Sequence, residues 1–291
     1  MIRINIQNNQ SLQVQLNELN HKLKLNPTEC EIHITSYKSI KLDFQSRTPF
    51  GNLLLPYFFL TRRVLPKISL IKEISFIKKY RIHSFTEILG RMYYAGLEVL
   101  EFKEIDDNYQ IFCCRTNEPN LKKYYNEGIL IKIDRIGLKG KQFGLFKLRT
   151  MHPYSEFIQS LILEKYGLSS SGKIHNDIRL TRYGKFFRRY YIDELPQLIN
   201  FMKGDLKLVG IRPVGKTYFE NLPTELKVLR SELKPGCIPP YVAEGLKPSA
   251  KNATESEMRY AEKYKKNPII TDFTYFWKSV FSILFKSIRS Q

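Results

Sequence analysis

The 291-residue chain contains no run of about 18 uncharged apolar residues, so it offers no ordinary membrane-spanning helix. Its opening, MIRINIQNNQ, alternates like a strand and lacks the apolar centre of a secretory leader. Cysteine is sparse. Cys30, Cys113, Cys114 and Cys237 form neither a C-x-x-C pair nor a zinc-ligand spacing, which fits a reduced, cytoplasmic compartment. His152 and His175 have no partner at metal-binding spacing. Acidic residues are few, 28 against 47 lysines and arginines, and the formal net charge is +19. Such an excess attracts nucleic acid, acidic lipid or phosphorylated small molecules. No homeodomain, zinc-finger or ribonucleoprotein motif accompanies it, so a nucleic-acid partner is not expected.

What is present is a mixed pattern of helix and strand without internal repeats. Residues 1–48 read as strand, helix (about Ser11–Leu25) and two strands, Glu31–Thr35 and Ser39–Phe44. Ser84–Ala95 has a helical pattern with Ser84 as cap and Glu87 completing a capping box. Leu97–Phe102 and Tyr109–Cys114 read as a strand pair, with Cys113 and Cys114 on opposite faces. Ile129–Ile133 with Phe143–Leu148 form a second pair, and Ser155–Tyr166 and Glu255–Lys266 read as helices. Ser169–Gly172 is a short loop. Two segments, Pro49–Ile77 and Ile269–Ile288, set aromatic and aliphatic residues beside lysine and arginine, the composition of an interfacial membrane element or of a docked core helix.

The densest chemistry lies in Asp177–Pro213, DIRLTRYGKFFRRYYIDELPQLINFMKGDLKLVGIRP. Asp177, Arg179 and Thr181 lead to Arg188 and Arg189, and then to an acid pair, Asp193-Glu194. The spacing predicts a helix starting near Asp193 with Pro196 in its first turn, a buried face of Leu195, Leu198, Ile199 and Met202, and a stop at Gly204. Leu206, Leu208 and Val209 then read as a short buried strand before Arg212-Pro213. An acid pair alone is ordinary at a helix start, where it opposes the dipole. Acids together with arginines also suit reactions on phosphate, where a carboxylate attacks phosphorus or holds a hard cation and guanidinium groups neutralise oxygens.

The ordered string resembles the bacterial sugar transferase family, the monotopic polyprenyl-phosphate phosphoglycosyl transferases. The matching pieces are Asp177-Ile178-Arg179-Leu180-Thr181, Arg188, Ile192-Asp193-Glu194-Leu195-Pro196-Gln197-Leu198 and Gly204–Pro213. Upstream are Arg135-Ile136-Gly137, Gly140-Lys141-Gln142-Phe143 and Lys147-Leu148-Arg149-Thr150-Met151; downstream is Lys234-Pro235-Gly236. The resemblance covers roughly residues 128–285 and implies a compact α/β or α+β core. It also implies transfer of a phosphosugar from a nucleotide-diphosphate sugar, expected to be a UDP-sugar, to polyprenyl phosphate at the cytoplasmic membrane face, starting a glycan chain. By the same resemblance Asp193 is the nucleophile, Glu194 joins it in holding Mg2+, and Arg188 and Arg212 clamp phosphate, with Lys147, Arg149 and Arg179 as further phosphate candidates. The alternative is a family-like partner or regulator of glycan assembly without activity.

Three departures mark this chain. Gly210-Ile211-Arg212-Pro213 replaces the usual Gly-Pro-Arg-Pro. Cys237–Ala243 replaces an apolar stretch containing tryptophan. Residues 101–128 lack the long hydrophobic re-entrant helix that usually precedes the core. The expected organisation is therefore an N-terminal α/β region (1–48), a membrane-interface segment (49–80), a connecting region (81–127) and a catalytic domain (128–291). Basic residues near the surface would add attraction to anionic lipid.

Overall fold

The computed structural model describes residues 2–9, 11–67, 81–120, 125–168, 174–247 and 249–285. The expected loop at Ser169–Gly172 and the later parts of the two interfacial segments, from 68 and from 286, lie outside them. The fold mixes helices with small sheets, as the α/β or α+β expectation requires. It divides into two compact units, each built from two stretches of chain: Met1–Ile129 with Met151–Thr181, and Leu130–Thr150 with Arg182–Gln291.

The first unit is organised by a sheet of order β1-β2-β4-β3. Strand β1 (Ile2–Ile6) runs parallel to β2 (Cys30–Thr35), so the chain must cross over between them, and α1 (Leu12–Leu25) is that crossover. Leu12, Leu16, Leu19 and Leu23 recur at helical spacing and are all buried. Next come α2 (Tyr37–Arg47), α3 (Leu55–Phe59) and α4 (Phe85–Tyr94). Then β3 (Leu97–Ile105) and β4 (Asn108–Arg115) form an antiparallel hairpin, with β4 also antiparallel to β2. The predicted strand Ser39–Phe44 is instead part of α2. Ser36 caps this helix by accepting the Ser39 N–H at 3.1 Å, and that local bond decides the backbone over a short ambiguous apolar pattern. Ile32, Ile34, Ile88, Leu89, Met92, Leu97, Ile111 and the returning Ile158 and Ile162 close the core. The last two flank and enter α5 (Gln159–Tyr166).

Under α4 lies a buried charge cluster. Ser84 accepts the Glu87 N–H at 3.3 Å, the first half of the expected capping box. The Glu87 carboxylate is taken up by Arg81 (2.8 Å), His83 (2.8 Å) and Arg91 (3.1 Å). Glu127 neutralises the same two arginines.

The second unit begins with the β5 (Leu130–Ile136) and β6 (Gln142–Leu148) hairpin and resumes at α6 (Arg182–Arg189) and α7 (Gln197–Met202). Strand β7 (Lys207–Val209) follows, then α8 (Lys216–Glu220) and α9 (Thr224–Glu232). Strand β8 (Gly236–Ile238), α10 (Pro240–Ala243), α11 (Ala250–Lys266) and α12 (Pro268–Phe285) complete it. Strands β7 and β8 are parallel, and their approach explains two motif glycines. A Cβ on Gly236 would sit 2.1 Å from the Gly210 nitrogen, a backbone atom that cannot step aside. Val209, Ile211, Leu233, Tyr260, Ala261 and Tyr275 form this unit's core.

Helix α12 inverts the usual arrangement. Thr271, Tyr275, Ser279 and Ser282 are buried, whereas Ile269 (83% exposed), Phe273, Trp277, Phe281 and Phe285 face outward. The expected buried face of the helix after the acid pair fails in the same sense: Leu195, Leu198 and Met202 are exposed, Met202 by 76%. The apolar spacing after the acid pair marks a helix, now Gln197–Met202, but not the side that meets the core. Among the described residues no helix is long and apolar enough to cross a membrane.

Candidate active site

The acid pair sits in a single 3-10 turn, Ile192–Glu194, rather than in the first turn of a helix. Tyr191 before it takes the left-handed conformation (φ 58, ψ 16), which turns the chain sharply out of α6. The next helix, α7, starts only at Gln197 and ends before Gly204, whose φ of 78 supplies the expected stop. Asn200, fully buried, ties α7 to β6. Its Oδ1 accepts the Phe146 N–H at 2.9 Å and its Nδ2 donates to the Gly144 carbonyl at 2.8 Å. That tie sets the acid pair against the β6 residue Lys147.

Lys147 Nζ lies 2.9 Å from Asp193 Oδ2 and 3.3 Å from Glu194 Oε1. Asp193 is fully buried, and neither of its oxygens accepts a hydrogen bond of good geometry. The ammonium is close enough to pair electrostatically but stands off the hydrogen-bond axis. A carboxylate held beside one cation keeps lone pairs that no hydrogen bond has claimed.

Glu194 and Lys147 open onto a cavity of about 400 Å³, within the range of roughly 300–1,000 Å³ typical of small-molecule sites. Ile133, Arg135, Leu145 and Lys147 form its floor from one face of the β5–β6 hairpin. Arg212, Pro213, Val214 and Gly215 form one wall, Gln197, Cys237 and Pro239 another, and Tyr218 contributes from α8. Arg212 is fixed from behind: Glu257 accepts its N–H at 3.3 Å, and Arg230 donates to its carbonyl at 2.9 Å and to Glu257 at 2.5 Å. Burial of Glu257 raises its pKa to about 7 against the opposing pull of Arg230. Burial also pushes the Tyr191 phenol up, with further raising by Tyr241 and Glu194; its hydroxyl is buried without a hydrogen-bond partner. Burial, assisted by Glu194, lifts the Cys237 thiol to about 11.

Of the residues singled out in the sequence, Lys147, Glu194 and Arg212 line this cavity, and Asp193 lies buried beside Lys147, outside the lining. Arg188 does not line the cavity; its Nε donates to Thr150 Oγ1 at 3.0 Å. Arg149 is half-buried and likewise outside the lining. Arg179 belongs to the first unit, where Asp177 takes its guanidinium through contacts of 2.8 Å. Arg135, Tyr191, Tyr218 and the Glu257–Arg230 pair were missed. Arg135 stood within a quoted motif and was the one among them that carried a readable signal.

Residues 121–286 match the family model for bacterial sugar transferases, more than half of the chain. The chain belongs to this family. It is 41% identical over 108 residues to the sugar transferase EpsL of Bacillus subtilis, covering 37% of this chain and 47% of that protein. It is 38% identical over 119 residues to the galactosyl transferase CpsE of Streptococcus agalactiae, covering 40% of this chain and 26% of that one. A third relative, the UDP-glucose:undecaprenyl-phosphate glucose-1-phosphate transferase of Xanthomonas campestris, is 35% identical over 105 residues, covering 35% of this chain and 20% of its own. The matches thus span about half or less of these relatives' lengths.

Two carboxylates, one of them with uncommitted oxygens, fit a hard divalent cation that takes its other ligands from substrate phosphate and water. Among the described residues there is no group of three or more His, Cys, Asp or Glu that would make a dedicated protein cage.

Proposed function

We propose that this bacterial sugar transferase moves a phosphosugar from a UDP-sugar to polyprenyl phosphate at the cytoplasmic face of a membrane, as the first step of a glycan chain. The observation that carries the reading is the buried Asp193 carboxylate 2.9 Å from Lys147, which with Glu194, Arg135 and Arg212 lines a cavity. An Asp193 oxygen attacks the β-phosphorus of the donor. The bond from that phosphorus to the bridging oxygen breaks, and UMP leaves with the electron pair. An oxygen of the polyprenyl phosphate then attacks the aspartyl phosphosugar, which frees Asp193 and yields polyprenyl diphosphate-sugar. Lys147 and Arg212 neutralise charge that would otherwise repel an anionic nucleophile from an anionic phosphate. Mg2+, when bound by Asp193 and Glu194, supplies Lewis-acid neutralisation of the same oxygens. That Lys147, Glu194 and Arg212 share one cavity beside Asp193 favours transfer over an inactive regulator, which would be free to lose them.

The outward apolar face of α12 supports an interfacial position for the acceptor chemistry, since a polyprenyl tail stays in the bilayer. The test is label transfer from a panel of UDP-sugars to polyprenyl phosphate. Wild type should form a phosphosugar adduct visible by intact mass and release UMP, and EDTA should stop turnover until Mg2+ is restored. Asp193→Asn should fold, form no adduct and transfer nothing. Normal turnover by Asp193→Asn would remove the nucleophile from the scheme.

A further inference from the structure

Arg135 is the cation in the cavity to which the transfer reaction gives no task. Its guanidinium and that of Arg212 both line the space, and among the described residues neither forms an ion pair with a carboxylate. Burial and the adjacent charge of Arg212 hold the Arg135 pKa below its ordinary value. Two arginines lining one cavity, one lowering the pKa of the other, store repulsion that a bound phosphate would relieve. The pairing is built into the fold. The Ile136 N–H donates to the Val214 carbonyl at 2.8 Å, binding the end of β5 to the segment just after Arg212-Pro213. Arg135 Nη1 donates to the Asp134 carbonyl at 2.9 Å, which orients the side chain before any ligand arrives.

The hairpin register gives the cavity a direction. Ile131 pairs with Lys147, Ile133 with Leu145 and Arg135 with Phe143, so Lys147 and Arg135 stand at opposite ends of one face. Their positions are four residues apart, roughly 13 Å along the strand. Long side chains leaning inward from both ends can engage neighbouring phosphates. The phosphate under attack must lie at the Lys147 end, beside Asp193, and the departing phosphate lies on the Arg135 side. Beyond Arg135 the lining is Val214, Gly215 and the ring of Tyr218, uncharged surface that suits a nucleoside rather than a further phosphate.

We infer that Arg135, with Arg212, grips the phosphate of the nucleoside monophosphate half of the donor, and that the Tyr218 end of the cavity takes the nucleoside. The assignment rests on the transfer reading for its role in catalysis, though the binding itself does not. Arg135 is then a binding residue for the leaving group, and free nucleoside monophosphate is a competitive ligand of the same site.

Calorimetric titration of the full chain with UMP tests this without requiring turnover. Wild type should bind UMP. Arg135→Gln should weaken it by about tenfold or more, the scale of losing a charge-assisted phosphate contact. Its circular dichroism should match wild type. Tyr218 is a half-exposed rim residue, so Tyr218→Ser leaves the fold intact and supplies a second arm. It should weaken UMP severalfold while pyrophosphate binds as before. Absence of UMP binding by wild type would overturn the assignment, as would unchanged UMP affinity in a folded Arg135→Gln or in Tyr218→Ser. If UMP binds in an Arg135-dependent way but no UDP-sugar is turned over, the assignment stands and the transfer reading falls.

Discussion

Tyr191 concentrates much of what is unusual about the site in one residue. A tyrosine at φ 58 costs roughly 1–3 kcal/mol of backbone strain, and its hydroxyl is buried without a partner. Both features sit next to Ile192-Asp193, so the surrounding fold maintains a strained turn that positions Asp193, the proposed nucleophile. Cys237, on the cavity wall, makes a measurable counterpart. With its thiol raised to about 11, only about a thousandth is thiolate at pH 8, and thiolate is the reactive form. Iodoacetamide labelling of Cys237 should therefore be slow at pH 8 and rise about tenfold per pH unit between pH 7.5 and 9.5. Bound UMP should slow it further. Peptide mass spectrometry reads the rate, and rapid labelling at pH 7.5 would contradict the burial that raises this thiol. At this scale the acid pair was legible because two adjacent acids stood within an ordered string of motifs. Arg135 was legible only as a motif position, since an arginine on a strand reads as a solvated one until the fold brings Arg212 to the same cavity.

Among elements, the contact that matters most to the site is the one Asn200 makes between α7 and β6. Asn200→Ala would leave the part-buried Phe146 N–H and Gly144 carbonyl without this partner, at a cost of roughly 1–3 kcal/mol. Hydrogen exchange should show the Phe146 amide losing protection first, and transfer should fall because Lys147 lies on the next residue. Protection equal to wild type would mean that another contact sets the registry. Patterns of single elements were readable for α1, α4, β2, β4 and the β5–β6 hairpin, where spacing and burial agree. They misled at Ser39–Phe44, where a serine cap outweighed a short strand-like run, and at Leu195–Met202, where an apolar stripe does not face the core. Amphipathicity reports that a helix has two sides. It does not report which medium each side meets.

Across the whole molecule, apolar side chains left outside recur in both units. Phe50, Leu53, Tyr57 and Phe59 are exposed in the first, and Phe273, Trp277 and Phe281 in the second. Phe58 is the exception: it is buried and packs its ring 4.6 Å from that of Phe44, so it supports the fold rather than a surface. The protein should sediment with anionic vesicles in a partly salt-sensitive way. Serine at Phe273, Trp277 and Phe281 should release much of it while UMP binding persists. A wild-type chain that stays in the supernatant at low salt would require a partner to deliver it to the lipid. The division into two units was the feature least visible in the sequence, since each unit is assembled from separated stretches whose pairing only tertiary contacts reveal. That interleaving bears on how the chain emerges from the ribosome. The β5–β6 hairpin carrying Lys147 is synthesised before the first unit receives its closing stretch, Met151–Thr181, and long before the second unit's remaining residues exist. The candidate site therefore cannot assemble until the stretch out to Pro239, its last lining residue, has followed the hairpin. A shortened protein begun at residue 121, where the family match begins, would carry Ile158 and Ile162 without the helices and strands that bury them. It would expose a sticky half-core instead of yielding a minimal enzyme.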